Sequence, residues 1–444
     1  MQKRGYSVSG SDQNTNARLE ELKQAGITVY SQQEAGNIAK IRNGERIHPI
    51  IIVSTAIQST NSELNAAKQA NLEILHRSDL LSLLIKEQPT IAIAGTHGKT
   101  TTSTILTTLL AIANEDPTAI IGGLVPYYNS NSHIGTGRLL IAEADESDGS
   151  LIKFRPEIGV ITNLELDHID HYLDLNELIY TMKIFEDNCK QLIANYDCKT
   201  LRENLKAKRW WSIKTHNNVD FSAIPVKISG LHTIADFYEN GNFIEQITIP
   251  IPGLHNLSNS IGAIAACRAE GMPFEKIKKG LSLLKAPKRR FEFRGIWKDR
   301  LIVDDYAHHP SEIRATVDLA KVIIETKESH FPGKAKRLIV VFQPHRYSRT
   351  KEFLKEFCES LKEADYILLA PIYPAGEKPI KGLSSHTLED YIKNSSPSKP
   401  VKTANSLNML VNLIKEKTKE NDLILVLGAG NINIIWDKLN HVNS

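Results

Sequence analysis

The sequence predicts an α/β protein built on mainly parallel sheets that are covered by helices. Apolar runs of strand length alternate with amphipathic helical segments along all 444 residues, which is the pattern of parallel strands joined by helical crossovers. Several of these runs end in polar or glycine residues, as they do after Ala94, Ala142 and Val303. Because open α/β sheets bind ligands at the carboxyl ends of their strands, these strand ends are the candidate sites. The length predicts roughly two to four domains.

The composition is that of an ordinary globular protein, with 41% hydrophobic and 24% charged residues. Lys and Arg total 54 against 51 for Asp and Glu, a net charge of +3, which is too small to favour nucleic acid or a membrane as a partner. No apolar run approaches the roughly 18 residues of a membrane span, and no signal peptide pattern opens the chain. The four cysteines show no C-x-x-C spacing and predict reduced thiols in a cytoplasmic protein. We expect a monomer or a homodimer.

The first segment has the elements of a nucleotide-binding unit. We predict helices over 17–25, 62–70 and 79–85 and a strand over 50–53. Residues 5–12 (GYSVSGSD) resemble the second strand of such a unit, ending in an acidic residue. A first strand and its glycine-rich turn are expected before it, but only four residues precede it. On this interpretation the segment is truncated, or its start is misassigned.

The most informative motif is GTHGKTTT at 95–102, directly after the apolar run TIAIA at 90–94. A buried strand, a glycine-rich turn and the start of a helix together direct backbone N–H groups at an anion. In such a loop Lys99 reaches the outer phosphates of a nucleotide and the Thr100 hydroxyl binds Mg²⁺. The first glycine lies three residues before Gly98, where the common pattern needs five, so this loop is compact. A plain turn with an exposed lysine is the alternative.

Two acidic clusters follow predicted strands of the second segment. The strand over 139–142 ends at Glu143 in AEADESD, where a carboxylate can hold Mg²⁺ opposite a phosphate loop. The strand over 158–162 precedes LDHIDHY, in which His168 suits a second divalent ion. An ordinary acidic loop and a surface histidine are the alternatives.

The region 210–252 alternates in polarity and predicts antiparallel β structure, before a helix over 256–270. The motif GLHNLSN places His255, Asn256 and Asn259 at the start of that helix. Such side chains can hydrogen-bond an adenine edge. Helix capping by Asn256 is the alternative, and it accounts for one residue but not for three.

The third segment contains predicted strands over 300–303, 338–342, 366–369 and 423–427. The motifs DDYAHHP (304–310) and QPHRYSRT (343–350) follow two of them. Arg346 and Arg349 lie one helical turn apart and face the same way. Paired guanidinium groups suit a carboxylate or a developing phosphate. Singly, either motif could be a surface turn, whereas two at neighbouring strand ends indicate a site.

Taken together, these motifs resemble those of the Mur ligases in order and spacing, from about Gly5 to the last predicted strand. The motifs that carry the resemblance are GTHGKTTT, AEADESD, TNLELDHIDHY, GLHNLSN, KRRFE, DDYAHHP, QPHRYSRT, YPAGE and LGAGN. AEADESD and QPHRYSRT favour the branch of the family that adds L-alanine. The nearest branch attaches a recycled tripeptide to the same sugar nucleotide. Its motif resembles EADEYD, with Tyr at the position where this chain has Ser147.

The resemblance implies three domains, each with a mainly parallel sheet. These are a Rossmann-like UDP-sugar-binding domain over 1–84, a P-loop ATPase-like domain over 85–287 and a Rossmann-like amino-acid-binding domain over 288–444. The implied activity is ATP-dependent ligation of L-alanine to the lactyl carboxylate of UDP-N-acetylmuramate through an acyl phosphate, in cytoplasmic peptidoglycan precursor synthesis. ATP and Mg²⁺ are the implied cofactors. The tripeptide-adding activity, an inactive truncated relative, and a P-loop kinase or hydrolase remain as alternatives.

The resemblance also assigns roles to matching positions. ATP would be bound by Gly95, Thr96, His97, Gly98, Lys99, Thr100, Thr101, His255, Asn259, Arg290 and Asp305. Metal would be bound by Thr100, Glu143 and His168. The substrates would be contacted by Asp12, Ser54, Thr55, Tyr306, His308, Arg346 and Arg349. Lys99, His308, Arg346 and Arg349 would be catalytic, with His308 as base because an unperturbed histidine titrates near neutrality. Some members carry a carbamylated lysine, and Lys183 has a suitable spacing, but the L-alanine-adding members generally lack that group.

Overall fold

The structure is a computed structural model that describes residues 1–13, 17–43 and 46–440. The chain forms two compact units: Met1–Gln88 with Lys153–Arg155, and Pro89–Ile152 with Pro156–Ser444. Within the described ranges, no helix combines the length and apolarity needed to cross a bilayer.

The first unit contains two small parallel sheets. β1 pairs with β2, and β3 pairs with β4. A small core of Ile38, Ala67 and Leu72 packs between the helices and the second sheet. The elements are β1 (Ser9–Ser11), α1 (Ala17–Gln24), β2 (Thr28–Tyr30), α2 (Ala35–Arg42), β3 (Ile51–Val53), α3 (Ser62–Gln69), β4 (Ile74–His76) and α4 (Arg77–Glu87). The four predicted elements are present, but the strand expected over 5–12 covers only Ser9–Ser11, and a 3-10 turn occupies Gln2–Arg4.

A ten-stranded sheet forms the first part of the second unit. Its strand order is β14-β13-β12-β11-β10-β9-β5-β8-β6-β7. The strands are β5 (Thr90–Ala94), β6 (Thr118–Val125), β7 (Ser130–His133), β8 (Leu140–Glu143), β9 (Ile158–Ile161), β10 (Gln191–Asn195), β11 (Arg209–Ser212), β12 (Phe221–Ile228), β13 (Thr233–Glu239) and β14 (Asn242–Ile249). The centre is parallel, whereas β7, β13 and β14 add antiparallel edges. The antiparallel prediction for 210–252 was therefore wrong for β11, which pairs in parallel with both neighbours.

Helices cover the central strands of this sheet, which explains their unbroken apolar sequence. Every residue of β5 is buried, as expected for a parallel strand with both faces covered. Helix α5 packs against α8 over one face, and Ile105, Leu109 and Ile261 belong to their shared core. The helices of this part are α5 (Lys99–Ile112), α6 (Leu175–Asn188), α7 (Lys199–Asn204), α8 (Leu254–Ala269) and α9 (Phe274–Leu281).

A six-stranded sheet in the order β15-β16-β20-β17-β18-β19 forms the rest of the second unit. Its strands are β15 (Glu292–Trp297), β16 (Arg300–Asp305), β17 (Arg337–Phe342), β18 (Tyr366–Leu369), β19 (Val401–Thr403) and β20 (Asp422–Leu427), and only β15 runs antiparallel. Its helices are α10 (Pro310–Thr326), α11 (Tyr347–Glu352), α12 (Leu354–Leu361), α13 (Ser385–Ser395), α14 (Leu407–Lys417) and α15 (Ile435–Asn440). Separate apolar cores lie on the two faces. The predicted α/β class with mainly parallel sheets is confirmed, while the boundaries 1–84, 85–287 and 288–444 stay a prediction.

Candidate functional site

The loop between β5 and α5 has the geometry of an anion cradle. Gly95 (φ 121°) and Gly98 (φ 82°) both adopt positive φ, which strains residues that carry a Cβ. A Cβ at Gly95 would collide with Thr162 Oγ1, and one at Gly98 with Asn259 Oδ1. Helix α5 begins directly after Gly98, so its unpaired N–H groups face the loop. The glycines of the motif are therefore required by the backbone, and Asn259 lies against the loop itself.

In this structure the Lys99 ammonium lies between the loop and a buried carboxylate. Its Nζ donates to the Gly95 carbonyl at 2.6 Å and to Glu146 Oε2 at 2.7 Å. Glu146 is fully buried. Burial disfavours the charged ammonium, but Glu146 and Asp145 outweigh that effect and raise the Lys99 pKa. The ammonium is therefore held in its charged form at the loop.

Glu143 and Thr100 are adjacent, as expected for a Mg²⁺ site beside a phosphate loop. The Thr100 hydroxyl donates to Glu143 Oε1 at 2.9 Å, and the Gly122 N–H donates to Glu143 Oε2 at 2.8 Å. Glu143 ends β8, next to β5, so the sheet register brings the two oxygen ligands together. A hydroxyl and a carboxylate are hard ligands that suit Mg²⁺ with phosphate oxygens and water.

His168, the other predicted metal ligand, lies in a separate group with Asp145 and Glu146. His168 Nε2 is 3.5 Å from Glu146 Oε1, and these three side chains present ligand atoms close to one another. The His168 backbone is left-handed (φ 52°). Burial lowers the His168 pKa, but hydrogen bonding to Glu146 and the charge of Asp167 outweigh it and raise the pKa. The structure thus brings Glu143 and His168 to one cavity, where His168 is hydrogen-bonded to Glu146.

Two arginines that follow β17 bind the segment after β9. Arg349 Nε and NH2 both donate to Asp167 Oδ1, at 3.1 and 2.6 Å, and Arg346 NH1 lies 2.6 Å from Asp170 Oδ2. Arg346 is the N-cap of α11 and Arg349 lies within that helix, and the contacts with Asp167 and Asp170 place both guanidinium groups against one segment. Their partners here are carboxylates of the protein.

The Glu312 carboxylate contacts three side chains of the site, and it was not predicted from the sequence. It occupies the first turn of α10, and its carboxylate lies 3.2 Å from His308 Nδ1, 3.4 Å from His97 Nδ1 and 3.6 Å from Arg290 NH1. Burial raises the Glu312 pKa, but contact with His308 and with His97, whose own pKa is raised, outweighs burial and holds the Glu312 pKa well below its usual range. The spacing of His309 and Glu312, a capping box around Pro310, is the sequence signal that could have indicated it.

The expectation that His308 titrates near neutrality was wrong. Burial lowers its pKa to about 3, so the imidazole is neutral at pH 7. His308 Nδ1 faces the Tyr306 carbonyl at 3.1 Å and Glu312, both acceptors. Nδ1 therefore carries the proton and Nε2 keeps its lone pair as a hydrogen-bond acceptor, while the pKa of about 3 makes His308 a weak base.

The Asp305 carboxylate is hydrogen-bonded to two backbone N–H groups. Its two carboxylate oxygens accept N–H bonds from Phe291 and Ala307, each at 2.7 Å. Burial raises the Asp305 pKa to about 6, while the Arg290 charge and the two N–H bonds oppose that shift. The carboxylate thus ties β16 to the chain before β15, which is a structural role beside the one expected at a ribose.

His255 and Asn256 lie in the first turn of α8, which Gly253 precedes as N-cap. The capping alternative for Asn256 was wrong, because its amide donates to the Pro252 carbonyl at 2.8 Å. Burial, reinforced by the charge of Arg290, lowers the His255 pKa to about 4. A neutral imidazole near a guanidinium remains available for hydrogen bonding.

A cavity of about 410 Å³ joins the phosphate loop to the six-stranded sheet. Arg290 lies over the Tyr306 ring at 5.5 Å beside it. Of the predicted residues, Thr96, His97, Gly98, Lys99, Thr100, Glu143, His168, Arg290, Tyr306 and His308 line it. Gly95, Thr101, His255, Asn259, Asp305, Arg346 and Arg349 are not among its lining residues. Lys183 is exposed on α6.

The predicted UDP-site residues lie in the first unit. Asp12 follows β1, and its N–H donates to the Tyr30 carbonyl at 3.1 Å. Ser54 and Thr55 follow β3 and form a turn closed by the Ile57 N–H. These positions are at the carboxyl ends of parallel strands, where α/β sheets bind ligands.

A phosphate loop with an adjacent hard-oxygen site is the arrangement of a nucleotide-binding α/β protein. Three family models match the chain: "Mur ligase family, catalytic domain" over 1–89, "Mur ligase middle domain" over 93–267 and "Mur ligase, glutamate ligase domain" over 289–430. The chain belongs to the Mur ligase family.

Curated relatives and solved structures agree with this assignment. The chain is 55% identical over 441 residues to the UDP-N-acetylmuramate–L-alanine ligase of Prochlorococcus marinus strain MIT 9313, covering 99% of this chain and 90% of the relative. It is 53% identical to the enzyme of that name from Parasynechococcus marenigrum strain WH8102, covering 98% and 93%. The UDP-N-acetylmuramate–alanine ligase structure from Thermotoga maritima matches with a TM-score of 0.80 at 23% identity, covering 99% and 94%. That likeness confirms the expected three-domain Mur ligase fold.

Proposed function

We propose that this protein joins L-alanine to the lactyl carboxylate of UDP-N-acetylmuramate at the expense of ATP, in peptidoglycan precursor synthesis. The observation that carries the proposal is the likeness, at 50–55% identity over nearly the whole chain, to relatives that bear this activity in their names. The cavity between the phosphate loop and Tyr306 and His308 supports it, since a ligase must bring a nucleotide and two substrates together. The cytoplasm, where ATP and free amino acids are available, is the proposed compartment.

The residues of the cavity suit the two groups that the reaction needs. ATP would supply the phosphoryl group that turns an unreactive carboxylate into an acyl phosphate. Its phosphates fit the loop, since the start of α5 directs unpaired N–H donors at it. Mg²⁺ would be held by Thr100 and Glu143, with His168 contributing from the neighbouring group, and would neutralise phosphate charge.

The protein's own groups then carry the chemistry. Lys99 neutralises charge on the transferred phosphoryl group. Neutral His308 offers its Nε2 lone pair as a hydrogen-bond acceptor that orients the amino group of L-alanine, and its pKa of about 3 makes it too weak a base to hold the proton that this group loses. Arg346 and Arg349, released from Asp170 and Asp167, would bind carboxylate or phosphate oxygens. Asp12, Ser54 and Thr55 of the first unit would contact the UDP portion, and His255, Asn259 and Asp305 the nucleoside.

ADP release tests the substrate assignment. With ATP, Mg²⁺ and UDP-N-acetylmuramate present, we expect ADP to form with L-alanine and not with L-alanyl-γ-D-glutamyl-meso-diaminopimelate. Faster release with the tripeptide would identify the tripeptide-adding activity instead. Release that requires neither amino acid nor sugar nucleotide would identify a kinase or hydrolase.

A matched pair of variants tests the phosphate loop. Lys99→Ala should lower kcat at least 100-fold, and it should also destabilise the fold because it leaves Glu146 buried without its cation. Lys99→Ala/Glu146→Gln should recover the stability but not the turnover. Near-normal turnover in either variant would contradict the role of Lys99.

A further inference from the structure

Two histidines and a glutamate from three separate segments converge beside the cavity. His97 belongs to the phosphate loop, Glu165 follows β9 and His309 precedes α10. His97 Nε2 and His309 Nδ1 are 3.0 Å apart. Glu165 Oε2 is 3.6 Å from each of these nitrogens. His97 is also among the residues that the family resemblance assigns to ATP, but no chemical step proposed for the ligation uses the three side chains as a group.

The outer nitrogens of both rings face acceptors, which fixes the tautomers. His97 Nδ1 faces Glu312 Oε1 at 3.4 Å, and His309 Nε2 faces the Leu166 carbonyl at 3.3 Å. Acceptors of this kind require N–H donors. The backbone N–H of Ser311 also points at His309 Nδ1, at 3.4 Å, so that nitrogen is an acceptor. The inner nitrogens, His97 Nε2 and His309 Nδ1, therefore face each other next to a carboxylate oxygen, and either a proton or a metal ion must lie between them.

We propose that His97, Glu165 and His309 form a binding site for a zinc-class divalent transition metal. In tetrahedral zinc sites, bonds of about 2.0–2.2 Å place ligand atoms about 3.3–3.6 Å apart. The observed separations of 3.0, 3.6 and 3.6 Å lie within a few tenths of an ångström of that range. Two imidazoles and one carboxylate are a ligand set that zinc and its neighbours prefer, whereas Mg²⁺ prefers oxygen ligands alone. The fourth position would be taken by water.

Hydrogen bonds from neighbouring groups orient His97, Glu165 and His309, as they orient the ligands of known metal sites. Each histidine donates its outer N–H to a carboxylate or a carbonyl, which is the usual second layer of a zinc site. The Ser311 hydroxyl donates to Glu165 Oε2. The His97 backbone is anchored on both sides by Asn163, whose side chain accepts its N–H at 2.9 Å and donates to its carbonyl at 3.0 Å. The Glu165 side chain is 42% exposed, so a metal ion can reach the site from solvent on that side.

Without a metal, a proton shared by the two rings fills the same place. Burial disfavours a charged His97, but Glu312 and Glu165 outweigh it and raise its pKa to about 9. Burial and the His97 charge lower the pKa of His309 to about 4. Metal binding would displace that proton and join the phosphate loop, the segment after β9 and the start of α10. The inference concerns binding alone and does not depend on the proposed ligase activity.

Cobalt serves as the probe, because tetrahedral Co²⁺ absorbs visible light strongly and six-coordinate Co²⁺ does not. The full-length protein, freed of metal by a chelator, is titrated with Co²⁺ in excess Mg²⁺ so that oxygen sites are filled. We expect the tetrahedral absorption to saturate at one equivalent and to disappear when Zn²⁺ is added. His309→Ala and Glu165→Gln should each weaken Co²⁺ binding at least tenfold.

His168→Ala is the matched control, since it removes a histidine from the neighbouring Asp145–Glu146 group. It should keep the absorption. Circular dichroism of each variant establishes that it is folded, and Glu165→Gln, at a partly exposed position, is the one expected to fold normally. The proposal is overturned if no tetrahedral absorption develops, if folded Glu165→Gln binds Co²⁺ as the parent does, or if His168→Ala alone abolishes binding.

Discussion

Arg349 and Asp167 form a buried ion pair that joins the two sheets of the second unit. Arg349 Nε and NH2 both donate to Asp167 Oδ1, and each side chain is only 5% exposed. Burial opposes ionisation of the Asp167 carboxyl, but the guanidinium outweighs it and holds its pKa well below the usual range. A substrate carboxylate or phosphate would have to compete with Asp167 for this guanidinium.

Removal of one partner should be costly. We expect Arg349→Ala to lower the free energy of unfolding by about 3–5 kcal/mol, because Asp167 is left charged and buried. Lys362→Ala, which breaks the exposed pair with Glu359 at 3.4 Å, should cost less than about 1 kcal/mol. Guanidinium denaturation followed by tryptophan fluorescence measures both, and equal losses would contradict the importance of burial.

The crowding at Gly98 can be separated from its backbone conformation. Gly98 and Gly271 have φ of 82° and 81°, but a Cβ at Gly98 would meet Asn259 while one at Gly271 would meet nothing within 4 Å. Both alanine variants should lose about 1–2 kcal/mol from left-handed strain. Gly98→Ala should in addition raise the KM for ATP at least tenfold. Steady-state kinetics with varied ATP is the measurement, and an unchanged KM would show that the loop accommodates a side chain.

Glu312 should act as a positioning residue for His308 and Arg290. Glu312→Gln keeps the shape but removes the charge that both groups face, so we expect kcat to fall about 10–100-fold with little change in KM. A structural loss alone would lower the amount of folded enzyme without this selective effect on kcat. Glu325→Gln, at an exposed position of the same helix, is the control and should behave as the parent enzyme does.

Asp305 should make stability depend on pH. Its pKa rises from 3.8 in the unfolded reference to about 6 when folded, so the folded state binds the proton more tightly. That contribution is complete below about pH 3.8 and is lost as the pH rises through 6, with an upper bound of about 3 kcal/mol. Unfolding free energies measured between pH 4 and 7 should therefore fall more steeply in the parent than in Asp305→Asn.

The structural cost of Asp305→Asn can be distinguished from the effect of removing a titrating group. Asp305→Asn loses one of two N–H acceptors, which adds a pH-independent cost of about 1 kcal/mol. Asp187→Asn, an exposed substitution of the same kind, should leave the slope unchanged. If the parent and Asp305→Asn have the same slope, the carboxyl does not titrate in this range.

The local sequence was sufficient for the fold class and for the phosphate loop. Continuous apolar runs of strand length such as β5 are typical of parallel strands covered on both faces, and the glycines at 95 and 98 are imposed by positive φ and close contacts. These constraints act between neighbouring residues, so a motif reports them. β11 was misread because the direction in which a short strand pairs depends on its partners and not on its own alternation.

The contacts within the site could not be predicted from local sequence, because they join residues far apart in the chain. Glu312 meets His97 only when α10 packs beside the phosphate loop, and Arg349 meets Asp167 across 182 positions of sequence. Burial, which sets the pKa of His308 and of Asp305, is likewise a property of the packed protein. The sequence therefore determined which chemical groups are present and at which strand ends, while tertiary packing decided their partners and their charges.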